Sequence, residues 1–533
     1  MSAATLRHRF VNEDNRRWWT LAAMCFALFM IMLDNTVVNV ALPSIQRDLG
    51  ASTSGLEWTV NAYTLSFAVL LVTGGRLGDL FGRRRMFLFG VVVFGASSGL
   101  IALAQSEAWL VSFRALQGVG AAFMMPATLS IIANAFPAHE RGKAIGTWAG
   151  VSALALAIGP VVGGFLVESV SWQSIFLLNL PVAAVAVVVT LFATHESRDE
   201  TATRSVDLPG VTAITVGLTA MILALVQGNA WGWGSGRIVG LLAAAVVGLT
   251  AFAVIENRST NPMVDFRFFR ARSFLGANVV AFIVSFAMLA TFFFLALYLQ
   301  NVRGYSPLQA GVRFLPMTVV IIIGGPIAGR LSDKIGPRPL MASGLLLNAI
   351  SLFWQGHLNV DTPYTSLLGA FVLMGFGMGL VMSPMSTAAM NAVDQTKAGV
   401  ASGVLSMSRM VGGTFGVAVM GALIAGLGRH KIDELLPQVP EGTRASLADG
   451  LGAGATGGTG AVHDAVQQAF LFALNDGLRV AAVVALLGAV AAWVLIEPGI
   501  PQRQPVHDAE SAEVGTGDGG AELAAAAETA LPV

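Results

Sequence analysis

The chain has 533 residues, 55% of them hydrophobic and 12% charged, whereas a soluble chain carries about 25% charged residues. Water is therefore not its main solvent. Lys+Arg and Asp+Glu balance at 31 each, which gives no global reason to expect nucleic acid as a partner, and the one cysteine, Cys25, excludes an internal disulfide.

Residues 1–17 are polar, and the apolar run after them is too long for a cleavable signal, so it reads as a retained first helix. A span needs roughly 20 apolar residues to cross about 30 Å of hydrocarbon. By that measure fourteen spans are predicted. They lie near 19–42, 57–76, 86–105, 109–132, 143–167, 173–194, 208–227, 236–256, 273–300, 308–329, 339–357, 364–388, 399–426 and 476–497. The even number puts both termini on one side, and Lys and Arg decide which side that is. With the N-terminus inside, 21 of them fall on inner flanks and six outside, namely Arg47, Arg237, Arg303, Arg429, Lys431 and Arg444. Both termini are expected in the cytoplasm. Residues 427–475 read as a long external loop, Gly/Ala-rich at its centre, with a helix-compatible stretch at 462–474. The tail, 499–533, is acidic and Ala/Gly-rich and lacks a core, so disorder is expected there.

An internal repeat sets the architecture. Gly75-Arg-Leu-Gly-Asp79-Leu-Phe-Gly82 matches Gly329-Arg-Leu-Ser-Asp333-Lys-Ile-Gly336 at an offset of 254. Gly118, Gly142, Gly146, Gly159 and Gly164 match Gly375, Gly399, Gly403, Gly416 and Gly421 at 257. The expected fold is an all-α membrane protein of two six-helix bundles, 18–197 and 273–498, with two inserted helices in 198–272. The halves differ where charge matters: Asp34, Arg114 and Pro160 correspond to Met288, Phe371 and Val417. Proton chemistry is therefore assigned to the first half.

Four motifs then carry a specific resemblance: Leu33-Asp-Asn-Thr-Val-Val-Asn-Val-Ala-Leu-Pro43, Gly75 to Arg85, Arg114-Ala-Leu-Gln-Gly-Val-Gly120, and Gly150 through Gly159-Pro160-Val-Val-Gly163-Gly164. In this order and spacing the chain resembles the 14-spanner drug:proton antiporter family (EmrB/QacA-type exporters) of the major facilitator superfamily, over about residues 18–497. One departure is Trp172-Gln-Ser-Ile-Phe176, where the family reads Trp-Arg-Trp-Ile-Phe; a basic residue near Glu168 is missing. The resemblance implies a multi-pass protein of a bacterial-type plasma membrane that exchanges protons for amphipathic small molecules by alternating access, working as a monomer without a cofactor.

Each motif also has a plainer reading. Asp34 lies inside a span, where a carboxyl is costly unless paired or neutralised, and burial can make it a proton carrier near neutral pH. The alternative is a structural carboxylate held by Asn35 or Asn39, two residues that also qualify as cavity lining. Arg114 cannot lose its proton; the resemblance gives it a role in proton transfer, and the alternative is a guanidinium snorkelling to the outer interface. For Gly75, Asp79, Gly82, Arg83, Arg84 and the second copy's Asp333, the resemblance implies a conformational latch beyond topology anchoring. Gly150, Gly159, Pro160, Gly163 and Gly164 form its antiporter motif, physically a close-packing surface with one missing hydrogen bond. Met374, Met378 and Met382 stand in a stripe on the twelfth span that suits either a promiscuous pocket or packing. Arg409, Asp476 and Arg479 are read as structural.

Other function classes find little support. No Gly-x-x-x-x-Gly-Lys-Ser/Thr run occurs, so ATP is not the expected fuel. No His/Cys/Asp grouping has metal-ligand spacing, and neither an enzyme nor a metal site is expected.

Overall fold

The computed structural model describes residues 13–200, 207–259, 262–452 and 460–499, and these contain no strand. The first six elements are α1 (Glu13–Leu49), α2 (Thr53–Phe81), α3 (Arg83–Ala102), α4 (Glu107–Ala135), α5 (Ala138–Ser169) and the single turn α6 (Ser174–Leu177), continued by α7 (Asn179–Ala193). A pair follows, α8 (Leu208–Trp231) and α9 (Gly236–Arg258). The remainder is α10 (Arg272–Leu297), α11 (Pro307–Ile335), α12 (Pro337–Gln355), α13 (Tyr364–Asn391), α14 (Ala398–Leu435), α15 (Glu441–Gly452) and α16 (Ala461–Leu495).

Side-chain oxygens start several of these helices by accepting otherwise unpaired first-turn amides. Ser52, Ser106, Asp207 and Ser235 do so for α2, α4, α8 and α9, and Ser306 with Gln309 forms a reciprocal capping box on α11. Glycine ends several, and two of them, Gly82 (φ 111) and Gly336 (φ 85), occupy equivalent places in the repeat and turn the chain through conformations other residues resist.

Twelve helices among the described residues are long and apolar enough to cross a membrane: α1 to α4, α6–α7 taken together, α8 to α11, α13, α14 and α16. The chain is thus a multi-pass, all-helical membrane protein. The predicted spans at 143–167 and 339–357 coincide with α5 and α12, which lie outside that set of twelve.

The external loop expected at 427–475 is largely helical. Its first part prolongs α14 to Leu435, its middle forms α15, and the stretch from Ala461 is the start of α16. Arg444 pairs with Asp433 at 3.1 Å, and Leu451 fills the notch over Gly428, which fastens α15 to α14. Residues 453–459, the Gly-rich centre, and the tail from 500 lie outside the described residues.

Within the first half, α1 packs on α4, α5 and α7, and α4 on α2 and α3. Within the second, α10 packs on α14 and α16, and α13 on α11 and α12. Two pairs form the main joints between the halves, α5 with α11 and α2 with α14, and smaller contacts of α4 with α14 and of α5 with α13 add to them. The α8–α9 hairpin docks through α8 against both α2 and α14, in the groove between them.

Candidate functional site

Polar side chains from five helices of the first half, α1 to α4 and α7, meet around Asp34. The carboxylate is buried, and Arg114 Nη1 lies 2.6 Å from its Oδ2. Gln117 Nε2 donates to Oδ1 at 2.9 Å, and Asn179 Nδ2 donates to the same oxygen at 3.3 Å. Both amides also reach Ser98 Oγ, at 2.8 and 3.2 Å. Arg114, 1% exposed, donates further to Thr59 O at 3.0 Å and to Gln117 Oε1 at 2.6 Å. Its guanidinium lies 4.3 Å from the Tyr63 ring centroid and 5.9 Å from that of Phe176. The Tyr63 hydroxyl is sealed in without a hydrogen-bond partner.

The geometry decides two of the alternatives. Arg114 does not snorkel, and Asp34 is held by Gln117 and Asn179 rather than by Asn35 or Asn39. Asn39 instead donates to Asn35 O at 3.1 Å. Asn179, Ser98, Thr59 and Tyr63 were not singled out by sequence, and Gln117 stood only as a member of the Arg114–Gly120 motif, although an asparagine inside the apolar run Phe176-Leu-Leu-Asn179-Leu was a usable signal.

A second cluster closes one end of the molecule. Asp79 and Arg83 are both fully buried. Arg83 donates to Asp79 Oδ1 from Nε at 2.8 Å and from Nη2 at 2.6 Å. It also crosses to the second half, donating to Gln395 O and Thr396 O at 2.7 and 2.6 Å. Asp79 accepts the first amides of α14, from Gly399 at 2.9 Å and Val400 at 2.8 Å, so a carboxylate from one half caps a helix of the other. The receiving turn is ordered by Asp394, whose carboxyl is held below its usual range by the Thr396 amide and hydroxyl.

The repeat produces the same cap on the other side. Asp333 accepts from the amides of Gly142 and Lys143 at 3.2 and 3.3 Å, at the start of α5. Among the described residues no arginine joins Asp333; Arg338 lies over the Trp493 ring at 4.4 Å. Arg141 adds a link to Asn391 Oδ1 at 2.7 Å. Gly75 and Gly399, and Gly142 and Gly329, bring backbones so close that a Cβ on any of them would strike the facing chain.

Arg84 does not join Arg83. It donates from Nη2 to Leu191 O at 3.1 Å, and its amide bonds to Glu196, tying the loop to the segment after α7.

The glycines of α5 divide by neighbour. Gly150 faces Ile322 of α11, whereas Gly159 and Gly163 lie against Thr36 and Val37 of α1, directly beside Asp34. Gly164 has nothing within 4 Å of an added Cβ. Pro160 lies within α5, with its side chain outside the described set. In the second half Gly412 and Gly416 pack on Phe282 and Phe286 of α10 in the same manner. Of the methionine stripe, Met374 and Met378 are buried in the core and Met382 is half-buried.

The family model of the Major Facilitator Superfamily matches residues 24–417. The chain is 36% identical over 503 residues to the tetracenomycin C resistance and export protein of Streptomyces glaucescens, covering 92% of this chain and 94% of that one. It is 38% identical over 489 residues to the puromycin resistance protein pur8 of Streptomyces alboniger, covering 91% and 92%. The multidrug resistance protein Stp of Mycobacterium tuberculosis is 38% identical over 410 residues, or 76% of this chain and 75% of that one. Among solved structures, the proton:xylose symporter XylE shares the fold with a TM-score of 0.62 at 14% identity, covering 91% of this chain and 97% of that one. The human organic anion transporter MFSD10 shares it at 0.60 and 14%, covering 89% and 99%. This family and these relatives are transporters and exporters, not enzymes. The chain belongs to the major facilitator superfamily, among relatives named for antibiotic and multidrug resistance or export.

Proposed function

We propose that the chain is a proton-coupled exporter of amphipathic small molecules, a 14-span member of the superfamily built as two six-helix bundles around the inserted α8–α9 pair. Both termini are placed in the cytoplasm of a bacterial plasma membrane, and a single copy performs the cycle. The observation that carries this reading is the buried Asp34–Arg114 pair. Asp34 is the one titratable acid there, Arg114 stays charged throughout, and a proton on Asp34 cancels their attraction. Arg114 then keeps Thr59 O, Gln117 Oε1 and the Tyr63 ring, while α1 loses its charge link to α4. Because Gly159 and Gly163 bear on α1 one turn from Asp34, that change is passed to α5, and through α5 to α11 and the other half.

The Asp79 and Asp333 caps are the cytoplasmic latch in this scheme. With both engaged the cytoplasmic end is closed and the cavity faces outward, the state that receives protons and releases substrate. About 100 mV across the membrane supplies roughly 2.3 kcal/mol per charge moved, enough for a gradient of about fifty-fold. A dedicated exporter of one natural product is the second reading, favoured by relatives whose names each give a single antibiotic.

The test is Asp34→Asn in everted vesicles, with dye export followed with and without an uncoupler. The variant should reach the membrane and lose uncoupler-sensitive export together with substrate-induced proton release. Export at the wild-type rate would remove Asp34 from the coupling path.

A further inference from the structure

Arg409 stands ten residues beyond Gly399 on α14, about 15 Å along the helix from the end where Asp79 caps it, and so near mid-depth in a core about 30 Å thick. Its direction follows from its neighbours. Gly399 and Gly403 turn toward α2, where an added Cβ would meet Gly75 and Asp79, or Leu71 and Val72. Gly412 and Gly416 turn toward α10 and meet Phe282 and Phe286. At 100° per residue the first pair lies roughly 80° and 120° to one side of Arg409, and the second roughly 60° and 20° to the other. Arg409 therefore points between α2 of one half and α10 of the other, into the cleft between the bundles.

No described residue answers its charge. Among the described residues Arg409 forms no hydrogen bond and no ion pair, yet its side chain is only partly buried and none of its nitrogens is sealed away. Arg114, the buried arginine of the first half, is balanced by Asp34, and both Asp34 oxygens are already taken within that half. The repeat gives no counterpart either, since Ser152 occupies the equivalent place in α5. An intramembrane cation kept open to a cavity marks a substrate or ion path, and a guanidinium presents a planar fork that matches a carboxylate.

We infer that Arg409 is the anchor of a substrate site and that the exported molecules are amphipathic organic anions, held by a carboxylate or similar planar oxyanion with their apolar body against the cleft walls. A phospholipid headgroup is not the occupant, because its charge lies at the bilayer surface and Arg409 lies near the centre. This rests on the export reading above and adds the sign of the cargo.

Three probes with one apolar body test it: 1-pyrenebutyrate, its methyl ester, and the corresponding pyrenebutyl-trimethylammonium. Binding to the purified full-length protein is read by fluorescence polarisation, which needs no coupling. The wild type should bind the anion at least about tenfold more tightly than the ester, and the ammonium least. Arg409→Gln should remove that preference while keeping the affinity for the ester, and Arg409→Lys should retain part of it. Equal affinity for the three probes in the wild type, or no saturable binding of any, overturns the inference whether or not the variants fold. So does an Arg409→Gln protein that still prefers the anion, or one that loses all three probes alike, because the arginine would then be structural. Anion export that an uncoupler leaves untouched would instead sink the coupling scheme and leave Arg409's role standing.

Discussion

Gly75→Ala tests whether the joint between α2 and α14 must open. The added Cβ would collide with the Gly399 carbonyl oxygen, and would sit 2.9 Å from Gly399 C and 3.4 Å from Val400 Cα. All three atoms are backbone in the first turn of α14, so no side chain can swing aside, and the two helices must part by about an ångström. One turn later Asp79 holds the Gly399 and Val400 amides at 2.9 and 2.8 Å, and that separation would take both bonds out of range. Overpacking of this kind costs about 1–3 kcal/mol, which raises the population opened at this end roughly five- to 150-fold. Spin labels at Arg85 and Gln395, both exposed, span the joint once Cys25 is replaced by serine. Pulsed dipolar spectroscopy should then show the long-distance fraction growing by at least about fivefold. Gly164→Ala, where an added Cβ meets nothing within 4 Å, is the control and should match the wild type. A Gly75→Ala distance distribution superimposable on the wild type would refute the reasoning.

Two further predictions follow from the asymmetry of the halves and from the topology. Arg114→Phe and Pro160→Val copy residues already present at equivalent places in the second half, Phe371 and Val417; both should leave membrane abundance near normal and abolish uncoupler-sensitive export. Val417→Pro should act in the opposite way, removing a backbone hydrogen bond inside α14 at about 3 kcal/mol and lowering abundance; export that merely tracks abundance across the three would make the asymmetry a packing detail. A cysteine at Gly442, exposed on α15, should react with a membrane-impermeant maleimide in intact cells, and labelling only after lysis would invert the proposed orientation.

The repeated glycine-aspartate motif was legible from sequence, and Asp79 and Asp333 do cap equivalent helices across the joint. Its spacing is local, so one stretch of chain carries both the tight turn and the acid. The surroundings of Asp34 were not legible. Gln117, Asn179 and Ser98 sit on three separate helices, and whether they face Asp34 depends on the depth and rotation at which those helices pack, which no single helix encodes. The methionine stripe on α13 illustrates the same limit: its phase was readable, but Met374 and Met378 face the core. Arg409 was read as structural because a single helix does not show which partners a charge will meet; its direction and free donors become evident only once α2 and α10 flank it. The helical content of 427–475 outside the stretch at 462–474 was not legible for a different reason. Its helical parts are mildly polar and rest on α14 through the Arg444–Asp433 pair and Leu451, tertiary contacts that outweigh a glycine-rich composition.

The inserted hairpin leaves the two joints between the halves in unlike surroundings. At α2 and α14 the groove on the outer side is filled by α8, so that joint is sheathed in protein. At α5 and α11 the inserted pair does not intervene, and Phe165 of α5 and Ile323 of α11 are 65% and 59% exposed. A near-twofold molecule thus becomes sided toward its solvent: changes in acyl-chain length or order press directly on one joint only. An amphipath dissolved in the bilayer likewise meets the line between the bundles from a single flank.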